Sequence, residues 1–88
     1  MDNPVSSGIR SYNNAVTPSD TDLLSVAFGE DKKVTKGIVT TSGGAVELLF
    51  ADDEASIVLT LNAGEDYPYN VKQVLAAGTV ATGIYALY

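Results

Sequence analysis

Few side chains here are able to carry chemistry, and their spacing limits what that chemistry could be. The 88 residues include no His and no Cys, so neither a Ser-His-Asp nor a Cys-His nucleophile arrangement can be built. The usual zinc and haem ligand sets are missing for the same reason. A Ser-Lys pair is formally available, but the serines fall in turns or near the N-terminus, and no Gly-x-Ser-x-Gly elbow occurs. Carboxylates are what remain: Asp20 with Asp22, Asp52-Asp53-Glu54, and Glu65-Asp66. Paired carboxylates serve glycoside hydrolysis or Ca²⁺ binding. Neighbours in a turn repel one another, however, and stay solvated unless a cation or base gathers them. EF-hand spacing is absent, and a weak Ca²⁺ site is the minor alternative to plain solvated loop charge. Gly43-Gly44 lacks the Gly-Lys-Ser/Thr ending of a phosphate loop. Catalysis, resident cofactors and metals are therefore not expected.

Tyrosine is the other conspicuous type. Tyr67 and Tyr69 flank Pro68, and Tyr85 and Tyr88 lie close together near the end of the chain. Planar aromatics with a polar tip suit core or edge packing, a subunit interface, or a sugar-binding surface.

The elements that must position these groups are short. Eleven acidic against five basic residues give a formal charge of −6 and a pI near 4.1, which disfavours a phosphate backbone as partner. No apolar run reaches the length of a membrane span. Met1-Asp2-Asn3-Pro4 has neither the basic nor the apolar region of a signal peptide, so synthesis in the cytoplasm is expected. At 9.2 kDa folding hides roughly 63% of the unfolded chain's surface. So small a core is commonly reinforced by disulfides, metals or oligomerisation, and only the last fits this composition.

Residues 1–14, rich in Ser, Asn and Gly, read as an extended arm with Val5, Ile9 and Tyr12 as its large apolar groups. Residues 15–88 read as a single domain of five or six short strands. Thr17-Pro18-Ser19-Asp20 is a turn in which Ser19 or Asp20 can bond nearby backbone. Leu24-Ser25-Val26-Ala27-Phe28 alternates like a half-buried strand, with a helical turn opening at Asp20 as the alternative. Val34–Thr41 and Ala45–Phe50 are rich in β-branched or alternating apolar residues, and Ser42-Gly43-Gly44 between them supplies a tight hairpin turn. Ala55–Leu61 repeats the pattern with Ile57, Leu59 and Leu61 inward. Tyr67–Leu75 is strand-like, with Pro68 confined to a start, an edge or a bulge. Ala81–Tyr88 is a last strand that should pair within a sheet. The fold expected is all-β: a small antiparallel β-sandwich or jelly-roll-like barrel with an extended N-terminal arm. Lys36, Glu47 and Lys72 are the only charges inside the strands, which points to burial on both faces, partly by neighbouring copies.

Three stretches carry a resemblance. Asn14-Ala15-Val16-Thr17-Pro18-Ser19-Asp20-Thr21-Asp22-Leu23, the strand-turn-strand from Lys36 to Leu48, and Leu61 to Tyr88 with its closing Gly78-Thr79-Val80-Ala81-Thr82-Gly83-Ile84-Tyr85-Ala86-Leu87 together resemble the spike-base family of small phage and prophage proteins, named for the head spikes of gene transfer agents. Family members are basic along the strand that corresponds to Val71–Val74, where this chain has only Lys72, and the stretch Ser25–Lys33 is longer here. The resemblance implies a β-sandwich or jelly-roll-like subunit that forms a ring on the virion, over a capsid vertex, and carries a fibre. It supplies no catalytic residues.

The expectation is thus a non-enzymatic virion protein on the phage head surface, made in the bacterial cytoplasm. Its partners would be further copies of itself (a cyclic pentamer before a trimer), the major capsid protein and a spike fibre protein, with neither nucleic acid nor membrane. Val5, Ile9, Tyr12, Pro18, Tyr67, Tyr69, Tyr85 and Tyr88 are the expected contact residues. The alternative is a receptor- or glycan-binding module of a tail or fibre.

Overall fold

The structure, a computed structural model, describes residues 14–88. Five strands form two antiparallel sheets. In the first, β1 (Gly37–Ser42) pairs with β5 (Thr82–Leu87), running from Gly37 opposite Leu87 to Ser42 opposite Thr82. In the second, the order is β3 (Ile57–Leu61), β2 (Gly44–Phe50), β4 (Val71–Leu75). One face of each sheet supplies the core: Ile38, Ile84 and Ala86 from the first, Val46, Leu48, Leu61, Val71 and Val74 from the second, with Ala81 beside them. Period-2 alternation sets this along β2, where Val46 and Leu48 point inward and Glu47 outward. The all-β, sandwich-like architecture read from the sequence is what the chain adopts.

Three local readings differ. Ser42-Gly43-Gly44 joins β1 and β2, but these strands do not pair with each other; the chain passes there from the first sheet to the second. Gly44 takes a positive φ of 147°, and a Cβ on Gly43 would lie 3.1 Å from both the Leu61 carbonyl oxygen and the Ala63 nitrogen. The glycines thus serve a crowded corner between sheets, where a turn closing one ladder had been expected. Leu24–Phe28 is a single turn of helix, α1, and no strand. Leu24 is buried and Phe28 half-buried while Val26 is exposed, so an i, i+4 pair facing inward prevails over the alternation. Gly29, at φ 104°, ends the helix by donating its amide to Ser25 O at 2.9 Å. Finally, β4 begins at Val71, leaving Tyr67-Pro68-Tyr69 ahead of it. Tyr67 touches the first sheet instead, exchanging both backbone bonds with Ile38 at 2.9 Å.

The expected pairing of the last strand is present. Leu87 and Ala86 are fully buried in it, and Gly83, at φ 63°, sits where a Cβ would be driven into Thr41.

The segment from Asn14 to Ser19 ties the two sheets together. Asn14 O accepts from Ala86 N, and Val16 N donates to Ile84 O, along the edge of β5; Ser19 N then donates to Val74 O on β4. Thr35 N reaches Val71 O further along the same β4 edge, and Gly64 N bonds Thr40 O beside the Tyr67–Ile38 exchange on β1. Three strand edges are covered in this way. The outer edge of β3 is not: among the described residues, no backbone hydrogen bond reaches it other than those from β2.

Candidate functional site

Of the carboxylates singled out in the sequence, Asp20 turns toward backbone and Glu65 toward side chains. Asp20 Oδ1 accepts from Ala76 N and Ala77 N, each at 3.0 Å, so it caps the β4–β5 loop from 56 and 57 residues away. The local turn is held by Ser19, whose Oγ accepts from Thr21 N and Asp22 N. Glu65 Oε1 accepts from the Tyr67 hydroxyl at 2.9 Å and from Asn62 Nδ2 at 3.2 Å. Among the described residues no three acidic side chains converge to hold a metal ion.

Glu47, which the sequence marks only as a rare strand charge, does more than any of these. From the outer face of β2 its Oε1 accepts from Gly78 N at 2.8 Å and its Oε2 from the Ser56 hydroxyl at 2.5 Å. Its own amide donates to Thr79 Oγ1 at 3.0 Å. One half-buried carboxylate therefore fastens both the β2–β3 and the β4–β5 connections. A period-2 pattern with an acid at its polar position was the available signal, but its partners lie 9 to 32 residues away.

Of the five tyrosines expected at contacts, the four within the described residues divide. Tyr67 and Tyr69 do come together, their rings stacked with centroids 5.4 Å apart, and Phe50 meets Tyr69 edge-on at 5.3 Å. The Tyr67 hydroxyl accepts from Asn62 N at 2.8 Å. That amide draws the phenol's pKa down, but desolvation and the Glu65 carboxylate outweigh it, and the net shift is upward. Tyr69 lines a shallow recess of about 310 Å³ with Phe50, Asp52, Asp53, Pro68 and Asn70. Tyr85 stands on β5 opposite Val39 and bridges to Ala15. Tyr88 packs edge-on against Phe28 at 6.1 Å. Its hydroxyl is buried without a partner among the described residues, and desolvation pushes its pKa up to about 12. Pro18 lines an apolar groove of about 380 Å³ between the 15–19 segment and α1. Val5, Ile9 and Tyr12 lie outside the described residues.

The apolar surface sits mainly elsewhere. Leu23 (41% exposed) and Val26 (67%) border the groove at α1, Ile57 (49%) and Val58 (51%) lie on β3, and Val80 (75%) lies in the β4–β5 connection. Val80 N is bonded to Ala45 O of β2 at 2.8 Å. The run Ile57-Val58-Leu59, apolar on both faces of one strand, was the sequence signal for this surface. Among the described residues, what the molecule offers is thus an apolar, uncovered strand edge, an apolar groove and a small aromatic-acidic recess. No family model matches the chain, and neither a curated protein nor a solved structure shows significant similarity to it.

Proposed function

We propose that this chain is a structural subunit of a phage particle, a head-decoration or spike-base protein that acts by oligomerising and by docking on the capsid, without catalysis. The uncovered β3 edge with Ile57 and Val58 half-exposed on it is the observation that carries this reading. A strand that presents free backbone groups and apolar side chains on both faces is a template for another chain. An 88-residue domain without Cys has oligomerisation as its remaining reinforcement. The resemblance of Asn14–Leu23, Lys36–Leu48 and Leu61–Tyr88 to spike-base proteins supports the same role. Closed cyclic symmetry satisfies all such edges at once, and a pentamer suits a five-fold vertex. Light scattering on the purified protein, with antibody labelling of purified particles, tests the proposal. A cyclic oligomer and label on the head surface are expected. A monomer at working concentration, or particles without the protein, would refute it.

A second reading draws on the recess at Tyr69. An aromatic ring beside Asp52, Asp53 and Asn70 is the chemistry of a small sugar site, which would make the chain a receptor-facing module. Tyr69 already engages Tyr67 and Phe50, and Asn70 Nδ2 already donates to Thr35 O, so this reading ranks second. Glycan-array binding that disappears in Tyr69→Ala would establish it.

A further inference from the structure

We infer that the outer edge of β3 is the acceptor for the N-terminal segment of a neighbouring copy, which adds to it as a fourth strand of the β3-β2-β4 sheet. The inference rests on the oligomeric reading above and names its joint. The argument is one of elimination among the extended segments available. Within the described residues the free edges of β1, β4 and β5 are already bonded by Tyr67 and Gly64, by Ser19 and Thr35, and by Asn14 to Val16, respectively. A head-to-tail contact between two different edges of the body is therefore closed off, and the partner of β3 is either another β3 or residues 1–13.

Charge decides between them. Antiparallel pairing of two β3 strands brings the acidic turn Asp52-Asp53-Glu54, which precedes β3 in one copy, to the end where Glu65 and Asp66 follow β3 in the other, so acidic loops gather at both ends of the pair. Like charges brought together repel. Residues 14–88 hold all but one of the acidic residues and four of the five basic ones, which places the whole formal charge of −6 on the body. Residues 1–13 hold Asp2 and Arg10 and are formally neutral. They bring no repulsion to the acidic loops at either end of β3, and one guanidinium that those loops attract.

Pattern and reach agree. On a period of two, Val5, Ser7 and Ile9 share one face and Arg10 and Tyr12 the other. Val5 and Ile9 then extend the apolar face of Ile57 and Leu59, and Arg10 falls on the side of Val58, where Glu47 stands across the ladder. Pro4, which has no amide to donate, lies just before this stretch. Thirteen extended residues span roughly 43 Å, comparable to the 41 Å long axis of the chain. Donation of a segment to the next copy is heterologous, so it builds a ring when the rotation closes.

Because the chain has no Cys, single cysteines give an unambiguous test. Arg10→Cys and Val58→Cys proteins, purified separately, mixed and oxidised, are expected to yield a disulfide-linked dimer that neither protein forms alone, because both positions lie on one face of the proposed sheet. Removing residues 2–12, or replacing Val58 by Lys on its exposed surface, is expected to convert the oligomer to monomers with circular dichroism unchanged. A dimer from Val58→Cys alone would overturn the inference in favour of β3–β3 pairing. With Arg10→Cys and Val58→Cys combined in one chain, an intrachain bond as the sole product would overturn it in favour of the chain's own segment. An oligomer that persists without residues 2–12 would overturn it while leaving the assembly reading intact, whereas a wild-type monomer would bring down both.

Discussion

Thr35 and Val71 hold each other by two hydrogen bonds that combine backbone and side chain: Thr35 N donates to Val71 O at 3.0 Å, and Val71 N donates to Thr35 Oγ1 at 3.0 Å. The same hydroxyl donates to Tyr69 O at 2.7 Å, and both residues are fully buried. This clasp fixes where β4 begins. Thr35→Val keeps the shape but leaves the Val71 amide unpaired, at a cost of about 1–3 kcal/mol. The urea midpoint should fall accordingly with an unchanged m-value; a midpoint equal to wild type would show that the clasp contributes nothing.

Glu47 and Gly78 form a second dependent pair. A Cβ at Gly78 would stand 2.8 Å from Glu47 Oε1 and 2.9 Å from Val58 Cγ2, so Gly78→Ala must push the carboxylate off the loop amide it accepts from. Both Gly78→Ala and Glu47→Ala are expected to lose about 1–3 kcal/mol. Glu47→Gln, which keeps an acceptor for Gly78 N, should lose less than about 1 kcal/mol. The double variant Glu47→Ala/Gly78→Ala should lose less than the sum of the two single changes, because both break one contact. Full additivity in thermal melts would contradict this coupling.

Tyr88 makes stability depend on alkaline pH. Its pKa rises from 10.0 to about 12 because burial disfavours the phenolate, so the folded state holds the proton more tightly than the unfolded state does. The stabilisation is complete below pH 10, the unfolded value, and is lost as pH climbs toward 12. Tyr88→Phe removes the titrating group together with an unpaired buried hydroxyl. It should be neutral or mildly stabilising at pH 7 and should flatten the loss of stability between pH 10 and 12, a difference read from denaturant midpoints across that range. An alkaline limb identical to wild type would assign the loss to other groups, such as Tyr67.

The last strand should be indispensable. Removing residues 85–88 deletes Ala86 and Leu87, both fully buried, and the ladder partners of Gly37, Ile38 and Val39. Loss of a buried Leu alone costs about 2–5 kcal/mol, a large share of the 5–15 kcal/mol typical of a whole domain. The truncated chain is expected to show no cooperative unfolding transition by circular dichroism, and a sharp melt would argue against this role for β5.

What the residues determined by themselves was local and periodic. Alternation in Ala45–Phe50 and the β-branched run before Ser42 specify strands with one apolar face, because successive side chains in a strand point to opposite sides whatever the strand lies beside. The lack of His and Cys closed off whole classes of chemistry without reference to geometry. The turn chemistry of Ser19 was equally legible, since its bonds span two and three residues. Pairing was not legible. The glycines after Ser42 fit a hairpin as well as a crossing between sheets, and only the competition among β2, β3, β4 and β5 for edges chose the crossing. Leu24–Phe28 became helical because burial of Leu24 and Phe28 from one side outweighed an equally good alternation. Asp20 and Glu47 became caps because amides tens of residues away were left needing acceptors. The exposure of β3 was decided in the same way: an edge is a property of the assembled sheet, and no strand carries in its own residues the information that its neighbour will be missing.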